Sequence, residues 1–364
     1  MSEVAQATHS SPDGHIPQLR FPGFSGVWRE NRLGNIARIF DGTHQTPKYV
    51  ENGIPFYSVE HITANQFDDT KYISEEVFER ENMRVKLERE DILMTRIGNI
   101  GMAKYIDWNV NASFYVSLAL IKKNESFNSK FLSQLIHSPN FQRQLWKRTI
   151  HVAFPQKINL GEIGKCESIL PTKPEQQKIA AFLTTVDNKI EQLSKKQELL
   201  GEYKKGLMQQ IFSQAIRFKA DDGIEFPDWE EKKLGGVGRI RKGSQLNKSE
   251  LTDTGDYPAI NGGINPSGYT DKWNTGKNTI TISEGGNSCG YINFITSKFW
   301  SGGHCYSIEE LKGDVLNRFL FQYLKFNEHL IMRLRVGSGL PNIQKGEINN
   351  FKVNLPSLEE QTKI

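Results

Sequence analysis

Residues 161–179 read GEIGKCESILPTKPEQQKI, and residues 346–364 read GEINNFKVNLPSLEEQTKI. Gly161-Glu162-Ile163, Leu170-Pro171, Glu175-Gln176 and Lys178-Ile179 return as Gly346-Glu347-Ile348, Leu355-Pro356, Glu360-Gln361 and Lys363-Ile364, at a constant offset of 185 residues. Self-similarity at so long a period marks a duplicated structural unit. The other border is duplicated too. Phe21-Pro22, Trp28, Leu33-Gly34, Ile36, Arg38-Ile39 and Gly42 return as Phe226-Pro227, Trp229, Leu234-Gly235, Val237, Arg239-Ile240 and Gly243, and from Trp28 onward the offset is 201. The offset shrinks between the borders, so the middles differ in length while the frames agree. Two copies of one fold have diverged where each would contact something different.

Each copy reads as mostly β with some helix. Residues 91–106 and 278–295 alternate β-branched and aromatic runs with Gly, the pattern of strands joined by tight turns or bulges. Residues 129–147 and 315–335 carry helical spacing. Between the copies, Thr172-Lys173-Pro174-Glu175 has the form of a helix capping box with Pro in the first turn, where its missing N–H costs nothing. Apolar residues then fall at Ile179, Leu183, Val186, Ile190, Leu193, Leu200, Leu207 and Ile211, a heptad-like seam interrupted by Gln197 and Lys204. A helix over residues 175–212 would be roughly 57 Å long at 1.5 Å per residue. The expected fold class is therefore α+β: two mixed, mostly β domains in tandem, joined by a long α-helix of coiled-coil type. The expected boundaries are a disordered lead-in over 1–17, a first domain over 18–171, the helix and linker over 172–219, and a second domain over 220–356. Residues 357–364 repeat the capping pattern and read as the start of a second helix, cut short.

The chain has 364 residues, 46 Lys+Arg against 42 Asp+Glu. Residues 173–219 hold nine basic and five acidic residues, a net of +4 that equals the net charge of the whole chain. The flanking copies are neutral in sum, so a polyanion footprint on them must come from patches. Cys166, Cys289 and Cys305 lack paired spacing, and no apolar run approaches the roughly 18 residues of a membrane span. The expectation is a cytoplasmic protein with no membrane role.

Enzyme motifs are missing. Pro227-Asp228 and Glu230-Glu231-Lys232 imitate a nuclease signature, but its carboxylates crowd into a few residues and the first copy has Gly23 at the matching place. There is no Pro-Pro dipeptide for a base-gripping methyltransferase loop, and Gly276-Lys277 has Asp271 where a phosphate-binding loop needs Gly. Cys289, His304 and Cys305 lack a metal-ligand frame, and no Ser/His/Asp triad is supported.

The tandem plan, with each copy closing on an Ile-to-Leu-Pro strand followed by a Glu-Gln-x-x-Ile helix start, resembles the specificity subunits of type I restriction-modification systems. The motif residues are Ile163, Leu170-Pro171 and Glu175 to Ile179, then Ile348, Leu355-Pro356 and Glu360 to Ile364. The tract Arg335-Val336-Gly337-Ser338-Gly339-Leu340-Pro341-Asn342-Ile343 is also typical of that family. Its counterpart, Arg148 to Phe154-Pro155-Gln156-Lys157-Ile158, lacks the Gly-Ser pair. The resemblance spans about residues 18–364. It implies a non-catalytic scaffold whose two domains each read one half of a split, asymmetric duplex DNA site, with the helix as a ruler. It also implies two modification subunits carrying S-adenosylmethionine, docked on the helix, and restriction or translocase subunits using ATP and Mg. No cofactor or metal is expected on this chain. A coiled-coil scaffold with two protein- or carbohydrate-binding β domains is the alternative.

Under that resemblance the DNA-facing candidates are of three kinds. Thr43, His44, Gln45, Thr46 and Lys48, with Arg241, Lys242, Ser244 and Gln245 in the second copy, form polar loops able to reach base edges or phosphates. Arg96 and Asn99 match Glu284 and Asn287, and the Arg-to-Glu change suggests that the copies read different bases. Arg148, His151 and Lys157, and Arg333, Arg335, Asn342, Gln344 and Lys345, are the candidate phosphate clamps.

Overall fold

The computed structural model describes residues 9–11, 14–337 and 339–364. The chain divides into two units, Met1–Ser194 and Lys195–Ile364.

In the first unit a four-stranded antiparallel sheet runs in the order Ile39–Asp41, Leu118–Ile121, Ile92–Thr95, Ala103–Tyr105. A second sheet places Ser113–Phe114 parallel to Ile54–Tyr57, followed by Lys71–Ile73 and Tyr49–Val50. Residues 92–95 are all buried, because the strand is covered on both faces. The strand period of two sorts its side chains. Ile92 and Met94, with Ala119 and Ile121, pack under Phe131, Leu132, Ile136, Phe141 and Leu145 of the helices. Leu93, with Leu118 and Leu120, faces Tyr57, Ile62 and Phe114 on the second sheet's side.

The second unit repeats this plan. Its main sheet runs Arg239–Lys242, Cys305–Glu309, Thr279–Ser283, Ile292–Ile295, and its smaller sheet runs Gly268–Thr270, Tyr257–Ile260, Trp300–Ser301, the last pair again parallel. Ile280 and Ile282 pack under Phe319, Leu320 and Leu324. The opposite face carries Thr279, Thr281 and Ser283 and meets only a small cluster around Ile260 and Phe299. The borders pair alike: Arg29–Arg32 with Glu167–Leu170, and Glu230–Lys233 with Lys352–Leu355.

Repeated Gly42 and Gly243 sit where the main sheet crosses to the smaller one. A Cβ at Gly42 would stand 2.0 Å from Phe114 O, and one at Gly243 would stand 2.3 Å from Ser301 O. The neighbouring Thr43 N donates to Phe114 O and Ser244 N to Ser301 O. No side chain fits between such close backbones.

The repeated Glu-Gln pair is explained by burial. Glu175 is fully buried at the start of a helix, and Arg20 Nε and Nη2 donate to its two oxygens at 2.8 and 2.7 Å while Trp28 Nε1 donates at 3.3 Å. In the second unit Arg217 Nε and Nη2 and Trp229 Nε1 bind Glu360 at 3.2, 2.8 and 3.1 Å. Each neighbouring glutamine ties three chain segments. Gln176 donates to Pro171 O and accepts from Asn128 N, and Gln361 donates to Pro356 O and accepts from Leu316 N.

Three expectations change. Residues 129–147 do not form one helix but two, Ser129–Ile136 and Pro139–Arg148, because Pro139 supplies no backbone donor and Ser138 Oγ caps Phe141 N. Residues 315–335 likewise divide into Asn317–Phe326 and Glu328–Met332, with Asn327 between them returning both its N and its Nδ2 to Tyr323 O. The lead-in over 1–17 is not uniformly irregular. His9–Ser11 and Gly14–Ile16 pair as a two-stranded ladder, and His15 and Trp28 exchange backbone hydrogen bonds at 3.0 and 2.7 Å. Residues 1–8, 12 and 13 lie outside the described residues, as does Ser338 of the Gly-Ser tract.

The long helix spans Lys173–Phe212, 40 residues, beginning two residues before the expected Glu175. Of the expected seam, Leu183, Val186, Ile190, Leu193 and Leu200 are exposed, whereas Ile179, Leu207 and Ile211 are half-buried. The helix ends on an aromatic cluster in which Phe212 meets Phe319, Tyr323 and Phe326 at 5.2 to 6.0 Å between centroids.

Candidate nucleic-acid interface

In the first unit, strand Ile39–Asp41 leads into the polar loop. Thr43 is buried and donates to Glu81 Oε2 at 2.9 Å, so its side chain braces the loop from beneath. His44, Gln45, Thr46 and Lys48 are exposed. At the loop's base, burial works against ionisation of Asp41. The hydrogen bond and charge of Arg84, with the charge of His44, outweigh that burial and hold the carboxyl below its usual value. His44 Nε2 lies 2.9 Å from Asp41 Oδ2.

Arg96 is not a free reader of bases. Its side chain is turned inward, with Nη1 donating to Val116 O at 2.8 Å, Nε donating to Ile158 O at 3.1 Å, and Asp41 at 3.9 Å. It holds three segments together, whereas Asn99 on the following turn is exposed. In the second unit Glu284 takes the place of Arg96 and Lys242 that of Asp41. Lys242 Nζ reaches Glu284 Oε1 at 2.6 Å, and Tyr306 Oη donates to the same oxygen at 3.0 Å. Burial, then Glu284 itself, raises the Tyr306 hydroxyl well above its usual pKa. The pair at the root of the polar loop therefore has opposite polarity in the two units. Glu284 Oε2 is buried without a hydrogen-bond partner, and His304 Nδ1 stands 3.5 Å away.

Arg241 is half-buried and committed to Glu309, Asn274 O and Thr275, whereas Ser244, Gln245 and Asn287 are exposed. Among the candidate clamps, Arg148 folds back on Gln144 O and Lys165 O. His151 binds Trp146 O and packs on the Trp146 ring. Lys157, Arg333, Arg335, Gln344 and Lys345 are exposed, and half-buried Asn342 forms backbone bridges with Gly285 and Val336. The sequence reading took Phe154 and Leu340 only as landmarks of the repeat, although both are almost completely exposed. It also missed Arg20 and Arg217, which lie eight residues before Trp28 and twelve before Trp229, outside the constant offset.

Among the described residues no group of three His, Cys, Asp or Glu is placed to hold a metal ion, and no helix is long and apolar enough to cross a membrane. Burial pushes the Cys166 and Cys305 thiols up to about 11, the reverse of what a nucleophile needs.

The model of the type I restriction modification DNA specificity domain matches the chain twice, over residues 26–200 and 227–364. The chain belongs to that specificity family. Each match covers one copy of the repeat. The MjaX specificity subunit of Methanocaldococcus jannaschii is 27% identical over 93% of this chain and 85% of its own. The type I restriction enzyme MjaVIII specificity subunit of the same organism is 28% identical over 92% and 83%. The crystal structure of a type I restriction-modification S subunit from M. genitalium covers 95% of this chain and 89% of its own, with a TM-score of 0.69 at 18% identity, which establishes the shared fold. As a specificity subunit, the chain is the non-catalytic, DNA target-recognition component of a type I restriction-modification system. The reading as a protein- or carbohydrate-binding scaffold is set aside.

Proposed function

We propose that each unit reads one half of a split, asymmetric duplex site, and that the helix Lys173–Phe212 sets the spacing between the halves. Two modification subunits dock along Leu183, Val186, Ile190, Leu193 and Leu200 of that helix. S-adenosylmethionine, ATP and Mg belong to these partners and to the restriction or translocase subunits, and the assembled complex works in the cytoplasm. The observation that carries the reading is one frame with two different faces: the same sheet order and the same Glu-Arg-Trp lock, but Asp41 and Arg96 in one unit where the other has Lys242 and Glu284. Exposed Gln45 and Gln245, three residues beyond Gly42 and two beyond Gly243, are the base readers, since a carboxamide pairs bidentately with adenine. Exposed Lys157 and Arg335 contact phosphate.

Two signatures separate these roles. Gln45→Ala should relax preference at one position of one half-site, and Gln245→Ala at one position of the other, both read by sequencing methylated sites. Lys157→Ala should weaken binding to all sequences and lower the slope of log affinity against log salt by about one unit. An unchanged methylation motif in both glutamine variants would remove the loops from base reading.

A further inference from the structure

Each unit holds an apolar hairpin tip in water. In the first, backbone bridges from Lys157 to Ile150 and to Ile97 close a hairpin whose tip carries Val152 at 97% and Phe154 at 103% exposure. Its base is pinned to the loop after buried strand Ile92–Thr95: Gly98 N donates to Gln156 O at 2.8 Å, and Ile158 N donates to Arg96 O at 3.0 Å. Inward-turned Arg96 adds its own bond to Ile158 O. In the second unit Asn342 bridges Val336 and Gly285, Gly286 N donates to Pro341 O and Ile343 N to Glu284 O, and Leu340 is 87% exposed. So large an exposed apolar side chain on so firmly anchored a base has no role in folding, and its recurrence in the corresponding hairpin of the second unit, one position nearer the base, points to a ligand.

The surroundings identify that ligand's charge. Residues 126–161 contain no Asp or Glu but carry Lys130, Arg143, Lys147, Arg148 and Lys157. Residues 329–346 likewise contain no acid and carry Arg333, Arg335 and Lys345. An apolar tip carried on a stretch of chain with one sign of charge fits a polyanion that offers apolar surface between its charges, and stacked base pairs between two phosphate rows are such a surface. We propose that Phe154 and Leu340 are wedges that enter the duplex between adjacent base pairs, one in each half-site, while exposed cations of the same stretches, Lys157 in one and Arg335 in the other, hold the flanking phosphates. Each wedge makes recognition depend on how easily one base step opens, a selectivity exerted without hydrogen bonds to base edges. The inference rests on the reading of both units as DNA readers.

The test uses the full chain assembled with its co-encoded modification subunits, on duplexes carrying the sequence that the complex methylates. 2-Aminopurine is scanned through each half, away from the methylated base. The wild-type complex should raise fluorescence at one step in each half. Phe154→Ala should abolish the rise in one half only and weaken binding roughly tenfold with an unchanged salt slope. Leu340→Ala should do the same in the other half, and Phe154→Leu should retain the signal. Intact binding with no Phe154-dependent step overturns the wedge and leaves DNA reading standing. Loss of the modification subunits from the Phe154→Ala complex assigns the tip to a protein interface and also overturns it. Failure of the wild-type complex to bind its own methylated sequence would instead overturn the reading beneath.

Discussion

Glu360→Ala is expected to destabilise the second unit by about 3 kcal/mol, and Glu175→Ala the first by a similar amount, because each leaves a guanidinium and an indole N–H facing an empty place in a buried site. Glu175 and Glu360 are fully buried, whereas Arg20 and Arg217 keep a small exposed fraction that moderates the loss. For a unit of this size that cost lowers the melting temperature by about 6–12 °C. The signature is its confinement: scanning calorimetry should show one transition moving while the other stays. Glu360 also raises the pKa of Arg217, chiefly through their hydrogen bond. A shift below about 2 °C in either variant would mean that the repeated lock is ornamental.

Arg96→Glu has the next largest expected effect. The new carboxylate would face Val116 O and Ile158 O, which now accept from Arg96, and would stand near Asp41 in a buried site. Loss of the donors and like-charge repulsion should together cost about 3–5 kcal/mol. Asp41→Lys in the same chain copies the polarity of Lys242 and Glu284, and should recover about 1–2 kcal/mol of the loss. Recovery is incomplete because Ala119, the counterpart of Tyr306 in the sheet register, offers no hydroxyl. Urea denaturation of the single and double variants measures the coupling. A double variant less stable than Arg96→Glu alone would show that the polarity of this pair is not exchangeable and that the two units differ for another reason.

The duplicated frame was legible because its determinants are local. Leu-Pro ends a border strand, Ser or Thr followed by Glu starts a helix, and Gly42 and Gly243 recur where backbones nearly touch. The helix Lys173–Phe212 was readable from capping and apolar spacing alone. Side-chain direction at the site was not. Arg96 reads from sequence as a cation on a Gly-rich turn, yet the carbonyls that turn it inward come from residues 20 and 62 positions away. Arg20 and Arg217 escaped because the segments before the two tryptophans differ in length, which breaks the offset on which the comparison depends. Glu284 was noticed as a departure from Arg96, but the compensating change from Asp41 to Lys242 becomes meaningful only when the sheet order places the two strands on either side of a common neighbour.

The central claim is that the units read DNA independently, and exchange of one face tests it most directly. Replacing residues 30–160 with the equivalent segment of a relative retains the Arg20–Glu175 bond and its counterpart in the second unit. The sites methylated by the hybrid complex are then sequenced. The account predicts a motif changed in one half alone, with the other half as in the parent. A motif changed in both halves would contradict it.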